Sequence, residues 1–308
     1  MTRRRTGEAV DGWVVIDKPE GLGSTPAVGA VRRAFSARKA GHAGTLDPLA
    51  SGVLPIALGE ATKTVSRLME ADKAYRFTIA WGEETTTGDR EGAVIRSSAA
   101  RPTKKDIACA FAAFLGEKEQ VPPAFSAVKV EGARAYDLAR RGVPAELAPR
   151  LVRLDRAELV GHVEGRESRI EIVCGKGFYV RSFARDLAAV LGACGHVSAL
   201  RRTRVGPFEE SMALGLAFVE ELCHRGAALE ALLPVATALD DIPALAVTAE
   251  EAFRLTQGRS IVLLPRQVDS VRQRLGASRT VSAFLGEKIV ALCEMRAGRL
   301  SPSRVFHL

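Results

Sequence analysis

Residues 41–63 read GHAGTLDPLASGVLPIALGEATK, and the organisation of the chain follows from this stretch. Its first part, Gly41 to Pro48, is a turn shaped by Gly41, Gly44 and Pro48, and it carries one carboxylate, Asp47. The apolar run Val53 to Leu58 follows and reads as a strand. Loops held between rigid elements are where reacting groups tend to sit. Read alone, the same aspartate equally suits a turn that caps its own backbone. Upstream, Trp13 to Asp17 (WVVID) reads as a buried strand closed by Lys18-Pro19. Pro26 to Phe35 reads as a helix opened by the capping pair Ser24-Thr25. Downstream, Glu60 to Met69 has helical spacing and Lys73 to Trp81 alternates like a strand. Lys104 to Leu115 and Tyr179 to Leu191 read as helices, with Arg169 to Cys174 a strand between them. This mixture predicts an α+β catalytic domain over residues 1–243.

Beyond the turn-rich stretch at Pro234, Asp240-Asp241 and Pro243, the chain changes character. One short helix, Ala249 to Thr256, precedes strand-like pieces such as Ser260 to Leu264 and Lys288 to Glu294. The expectation is a boundary near residue 243 and a small β-rich module over 244–308. The pentapeptide FLGEK occurs at Phe114 and Phe284 in unrelated surroundings and is no repeat.

Composition narrows the function. The 308 residues are 47% hydrophobic and 26% charged, which suits a globular protein and no fibrous or disordered class. No run of eighteen apolar residues occurs, and the basic N-terminus has no apolar core behind it, so neither a membrane span nor secretion is expected. A net charge of +8 points towards a polyanion. Cys109, Cys174, Cys194, Cys223 and Cys293 are odd in number and widely spaced, which fits a reducing cytoplasm and no disulfide framework. Gly21-Leu22-Gly23 lacks the third glycine of a dinucleotide turn, since Pro26 stands in its place. GxxxxGK[ST], HExxH and GxSxG are all missing. The scattered His42, His162, His196, His224 and His307 offer no metal-ligand spacing.

Two further segments bear on Asp47. CGKGFYVRSFARDLAAVLG, Cys174 to Gly192, places Arg181 at a strand-to-helix transition, where a guanidinium can hold a carboxylate ionised. DKAYRF puts Tyr75 on a strand, as a core tyrosine or as a ring able to stack on a base. Arginines gather in the middle third, at Arg134 to Arg156 and at Arg201, Arg202 and Arg204.

Together with DKPEGLGST, VPPAFSAVKVEGARAYDLARRG and HVSALRRTRVGPF, these segments resemble the TruB-type tRNA pseudouridine synthases, in family order over about residues 11 to 210. LTQGRSI, near the end, is similar to the small PUA-type RNA-binding module of that family. The resemblance implies a pseudouridine-synthase fold, with a mainly antiparallel mixed sheet and flanking helices. It implies isomerisation of uridine 55 in the TΨC arm of tRNA. Asp47 would be the nucleophile, Tyr75 would pack on the base, Arg181 would pair with Asp47, and Leu200 would line the pocket. His42 would serve base extrusion, and Lys18, Pro19 and Gly44 would support the loop. Arg134, Arg141, Arg201, Arg202 and Arg204 would grip phosphates, which positions RNA without reading sequence. No redox change occurs and no group is lost, so no metal or cofactor is expected. A lone carboxylate suffices if it acts covalently, whereas a glycosidic hydrolase needs two facing ones. A stand-alone monomer without an obligate protein partner is expected, with an insertion at about 124–152. The rivals are an RNA chaperone, which would not need Asp47, and a guide-RNA-dependent synthase. The family's TDT aspartate is replaced by Thr86, while Asp89 and Gly92 match.

Overall fold

The apolar run at residues 13–16 needs cover on both sides, and the fold provides it. The computed structural model describes residues 7–126, 128–130, 133–134, 147–275 and 279–308. The chain runs β1 (Gly12–Lys18), α1 (Ser24–Ala34), β2 (Ala40–His42), β3 (Ser51–Leu58), α2 (Val65–Glu70), β4 (Lys73–Trp81), β5 (Glu83–Thr85) and β6 (Val94–Ser97). Next come α3 (Lys104–Ala110), β7 (Gly116–Gln120), β8 (Lys129–Val130), β9 (Ala133–Arg134), β10 (Arg150–Val163), β11 (Glu167–Cys174) and α4 (Val180–Val190). Then follow β12 (Gly195–Val205), β13 (Phe208–Glu209), β14 (Leu214–Gly215) and α5 (Leu216–His224). The last stretch holds β15 (Ala244–Ala246), α6 (Ala249–Thr256), β16 (Ile261–Val262), α7 (Pro265–Arg272), β17 (Thr280–Leu285), β18 (Lys288–Arg296) and β19 (Arg299–Val305).

One large sheet has the order β14-β1-β3-β12-β4-β11-β10-β7, with β2 on β3 and β13 on β12. Its pairs are antiparallel except β1 with β14 and β3 with β12. Side chains alternate across a strand, so Val14 and Ile16 enter one core while Trp13 and Val15 enter another. The first core lies under Ala27 and Val31 of α1, Ile107 of α3, Phe183 and Leu187 of α4, and Val219 of α5. The second core joins Trp13, Val15 and Phe208 to Ile289, Leu292 and Phe306. β18 and Phe306, just past β19, therefore help cover the back of the large sheet. Polar ties reinforce this contact: Lys63 Nζ donates to Val305 O at 2.8 Å, and His307 N to Glu60 at 2.9 Å.

The residues from Ala244 onward form a separate five-stranded sheet, β15-β17-β18-β19-β16, around a third core. Several local expectations shift. Ser24 does not cap α1, because Gly23 is the N-cap and the Ser24 hydroxyl is used elsewhere. The helical stretch after β3 breaks at Thr64 into a 3-10 turn, Gly59–Lys63, and α2. Only Ile261 and Val262 of the strand-like 260–264 pair.

The parallel seam between β3 and β12 decides where the site lies. Gly52 sits at that seam with φ +100°, and a Cβ there would lie 2.2 Å from the Arg202 carbonyl oxygen. Only glycine permits this approach. It delivers the loop before β3 onto the end of β12.

Candidate active site

Residues 43–50 join β2 to β3, and buried groups hold this loop from below. Ser24 Oγ donates to Leu46 O at 2.9 Å and accepts from Leu46 N at 2.8 Å. The buried Lys18 ammonium donates to Leu22 O at 2.5 Å, Pro19 O at 3.0 Å and Pro48 O at 3.3 Å. Burial pulls its pKa down to about 8, against the attraction of Asp47. Gly44, at φ +102°, lets the chain turn beside Arg202. Leu46, Leu49 and Ala50 anchor the loop in the protein, so Asp47 is presented on a rigid frame with its side chain 40% exposed.

Arg181 opens α4 and is 6% exposed. Its Nη2 meets Asp47 Oδ2 at 2.7 Å and Phe125 O at 2.9 Å. Its Nη1 donates to Thr87 O at 2.9 Å and lies 3.5 Å from Asp89 Oδ2. A rigid planar fork suits such a four-way arrangement, where a lysine could not span it. Asp89 is itself held by Thr87 Oγ1 at 2.5 Å and by Glu91 N at 3.1 Å. The helix start is fixed by Gln120, whose side chain bonds both Tyr179 N at 2.8 Å and Tyr179 O at 3.1 Å.

A cavity of about 300 Å³ opens over Asp47, within the size range of ligand sites. Gly44, Asp47, Tyr75, Arg181 and Leu200 all line it. Lys73, Ser126, Tyr179 and Arg202 complete much of its wall. Among the described residues, three roomier clefts are lined without Asp47, although Tyr75 also borders one of them. Burial raises the Tyr75 pKa above the ordinary phenol value, opposed by the neighbouring Arg202, so the ring is neutral near pH 7. Burial also pulls the Lys73 pKa down to about 8, while its Nζ donates to Met69 O at 2.6 Å and Ala71 O at 2.5 Å.

Other expected residues lie apart. His42 ends β2, opposite Ile56, and does not line the Asp47 cavity. Burial first, and Arg202 second, hold its pKa below the usual histidine value, and its Nδ1 is buried without a partner among the described residues. The phosphate-gripping expectation fails for Arg202, which is 1% exposed and bonded to backbone carbonyls. Register is the reason: Arg202 pairs with Tyr75 across β12 and β4, and so faces inward. Arg201, one residue earlier, faces the other way and is held by Asp17 at 2.9 and 3.0 Å and by Glu210. Arg204 is half-buried and donates to Gly206 O at 3.1 Å. The Arg134 side chain and all of Arg141 lie outside the described residues, as does most of the 132–146 insertion. Thr86 does not line the Asp47 cavity.

Sequence reasoning missed the contact of Asp89 with Arg181, the clamp from Ser24, and the Gln120 brace. The buried Arg181 guanidinium thus joins two carboxylates within 3.5 Å, one facing the cavity and one buried behind it.

Residues 32–180 match the N-terminal domain of the TruB family pseudouridylate synthases, and residues 181–240 match the tRNA pseudouridylate synthase B C-terminal domain. The chain belongs to the TruB family. A tRNA pseudouridine synthase B from Caulobacter sp. (strain K31) is 61% identical over 309 residues, covering 100% of both chains. Its counterpart in Nitrobacter winogradskyi is 51% identical over 310 residues, covering 99% of this chain and 85% of that protein. A solved Cbf5-Nop10-Gar1 complex contains a chain of the same fold, with a TM-score of 0.73 at 24% identity over 96% of this chain and 85% of that one. As a TruB-family member this chain is a tRNA pseudouridine synthase, an isomerase.

Proposed function

We propose that this isomerase converts uridine 55 in the TΨC arm of tRNA to pseudouridine, with Asp47 as the covalent nucleophile. The observation that carries the reading is the 2.7 Å pair of Asp47 with buried Arg181, in one cavity with Tyr75 and Leu200. Breaking the N1–C1′ bond and making a C5–C1′ bond needs no group beyond the base itself. The C5 hydrogen leaves as a proton, N1 takes one up, and the composition is unchanged. Arg181 stays paired with the Asp47 carboxylate as the entering base displaces water from the cavity. The target base must leave its stack to reach Asp47, at a cost of about a few kcal/mol. Packing on Tyr75 and Leu200 offsets part of that cost. A neutral His42 suits insertion into the vacated space, because a charged ring would resist leaving water.

The module over 244–308 carries ten basic residues against five acidic ones, which supports a phosphate-contacting, PUA-like role. On the same reading, the chain is a stand-alone catalyst acting on tRNA without an obligate protein partner. The test is tritium release from a T-arm stem-loop labelled at uridine C5. Wild type should release tritium, while Asp47→Ala should bind the RNA and release none. Release by Asp47→Ala, or none by wild type, would reject the assignment.

A further inference from the structure

The rim of the Asp47 cavity carries an ion pair that the chemistry above does not use. Gly175 and Gly177, in the turn between β11 and α4, both line the cavity, and Lys176 between them supplies the only side chain of that stretch. A second stretch of rim is Met69, near the end of α2. The residue after it, Glu70, meets Lys176: Nζ lies 2.5 Å from Glu70 Oε2, and the two side chains are 64% and 61% exposed. The backbone on either side of Glu70 is fixed, because the buried Lys73 Nζ donates to Met69 O and to Ala71 O. Neighbouring cations are committed elsewhere. Arg181 is buried on Asp47 and Asp89, and Arg202 on backbone carbonyls. Arg153, whose carbonyl accepts from Gly175 N, holds both Asp72 and Asp155. Arg201 follows Leu200 in β12 but turns to the other face of the sheet, on Asp17 and Glu210. Lys176 differs from all four: it is exposed, and its partner is one equally exposed carboxylate.

RNA cannot deliver a base alone. A flipped nucleotide brings two phosphodiesters, one on each side of its ribose, and with the base over Asp47 they arrive at the rim. There they meet a like charge, Glu70, and a cation whose present partner is weak, since exposed ion pairs in water contribute little. Lysine suits an exchange of partners, because its ammonium is a point charge on a flexible stem with no fixed fork to satisfy. We propose that Lys176 releases Glu70 and takes a phosphodiester flanking the flipped uridine, so that the rim ion pair is a charge exchange admitting the RNA strand at this edge of the cavity. This inference rests on the reading of Asp47 as the reacting centre. In the free protein Glu70 holds the ammonium at the rim, and in the complex Glu70 repels the strand. No covalent bond changes in the exchange, so Lys176 contributes to binding and not to the chemical step. The two members of the pair therefore act on RNA affinity with opposite signs.

The test measures RNA affinity of the full-length enzyme by filter retention over a range of salt, with single turnover at saturating enzyme in parallel. Lys176→Met should weaken binding several-fold and reduce the slope of log affinity against log salt by about 1, the signature of one phosphate contact. Its saturating rate should stay within about threefold of wild type, because such contacts position the RNA. Glu70→Gln should bind several-fold tighter, since it removes both the competitor and the like charge. Weaker binding in both variants would mean that the intact pair is what RNA requires, and would overturn the proposal. Both side chains are exposed, so both variants should fold, which thermal melting checks. A substrate-side measurement then locates the contact. Stem-loops with a single methylphosphonate linkage, 5′ or 3′ of the target uridine, lose one backbone charge each. The nucleotide before that linkage is 2′-O-methylated, in the charged controls as well, to keep the strand intact. One of the two linkages should cost wild type several-fold and Lys176→Met little. Equal costs in both proteins at both linkages would overturn the proposal. The salt comparison repeated on full-length tRNA reads the exchange whichever uridine reacts. Absence of tritium release by wild type from the stem-loop would therefore reject the uridine-55 reading and leave the Lys176 result to be judged on tRNA.

Discussion

Replacing Arg181 with methionine should separate what this residue does for chemistry from what it does for the fold. Its side chain is 6% exposed and touches two carboxylates in different settings, Asp47 at 40% exposure and Asp89 at 6%. At Asp47 a charge-assisted hydrogen bond of 2.7 Å is lost. Once the bound base has displaced the water around that carboxylate, such a bond contributes about 1.5–3 kcal/mol. With about 1.4 kcal/mol per decade, single turnover should slow by about 10- to 150-fold. At Asp89 the loss is structural, because it leaves a buried carboxylate without its cation, at a cost of about 3–5 kcal/mol. The bonds from Thr87 and Glu91 to Asp89 soften this, so the lower end is expected. The melting temperature should fall by several degrees. Adding Asp89→Asn removes the stranded charge, so the double variant should regain most of that stability and none of the rate. The assays are tritium release with excess enzyme, and thermal melting followed by circular dichroism. An Arg181→Met enzyme within about threefold of the wild-type rate would refute a role for this guanidinium at the nucleophile. A double variant less stable than the single one would refute the stranded-charge account.

Ser24→Ala should lose both bonds to Leu46 and strand two buried backbone groups, costing about 1–3 kcal/mol of stability. Its single-turnover rate should fall with unchanged RNA affinity, and a wild-type rate would show that the loop holds itself. Lys18 titrates at about 8 in the folded protein against 10.5 ordinarily. In that window the unfolded chain binds a proton the folded chain has lost, so this group makes stability rise with pH, while below about pH 8 the cost of burying the ammonium is fully present. Thermal melts between pH 7.5 and 10 should show a shallower rise in Lys18→Met than in wild type, and identical slopes would place the titration elsewhere. Turnover should also fall above about pH 8, since a neutral amine has only two N–H groups for three carbonyls. Removing residues 244–308 should strip Ile289, Leu292 and Phe306 from the second core and expose its apolar face. The truncated chain should therefore melt lower or aggregate, and a stable, monomeric fragment would contradict the shared core.

Strands and helices with a strong local period were legible. Lys73–Trp81 has the bounds its alternation gives, and Ala249–Thr256 is opened by Thr248, which accepts from Glu251 N. The grouping of Asp47, Tyr75, Arg181 and Leu200 was legible only through the family resemblance, because residue chemistry alone left Asp47 equally suited to a turn and Tyr75 to the core. Contacts that depend on register were not legible. Nothing local tells Arg201 from Arg202, yet the pairing of Leu200 with Phe77 and of Arg202 with Tyr75 sends one guanidinium inward and the other out. Ser24 looked like a helix cap because capping chemistry is local, and its true partner is 22 residues away. Asp89 reads as a turn aspartate until the β5–β6 hairpin meets α4. The back cover was hidden for a similar reason: Ile289 and Phe306 read as ordinary strand residues until their distant partner, Trp13, is placed.

Strand order has a consequence for how this molecule is made. β3 and β4 are successive strands of the large sheet, yet β12 lies between them. On the ribosome the first eighty residues emerge with a one-strand gap that their own sequence cannot fill. The gap closes only when Gly195–Val205 leaves the exit tunnel and slides in, bringing Leu200 and Arg202 with it. Until then two strand edges stand open to any extended peptide nearby. Slow, long-range closure of this kind makes the half-synthesised chain the stage most exposed to aggregation. An amino-terminal fragment ending before residue 195 would keep the Asp47 loop and lack the part of the cavity wall that Leu200 and Arg202 supply.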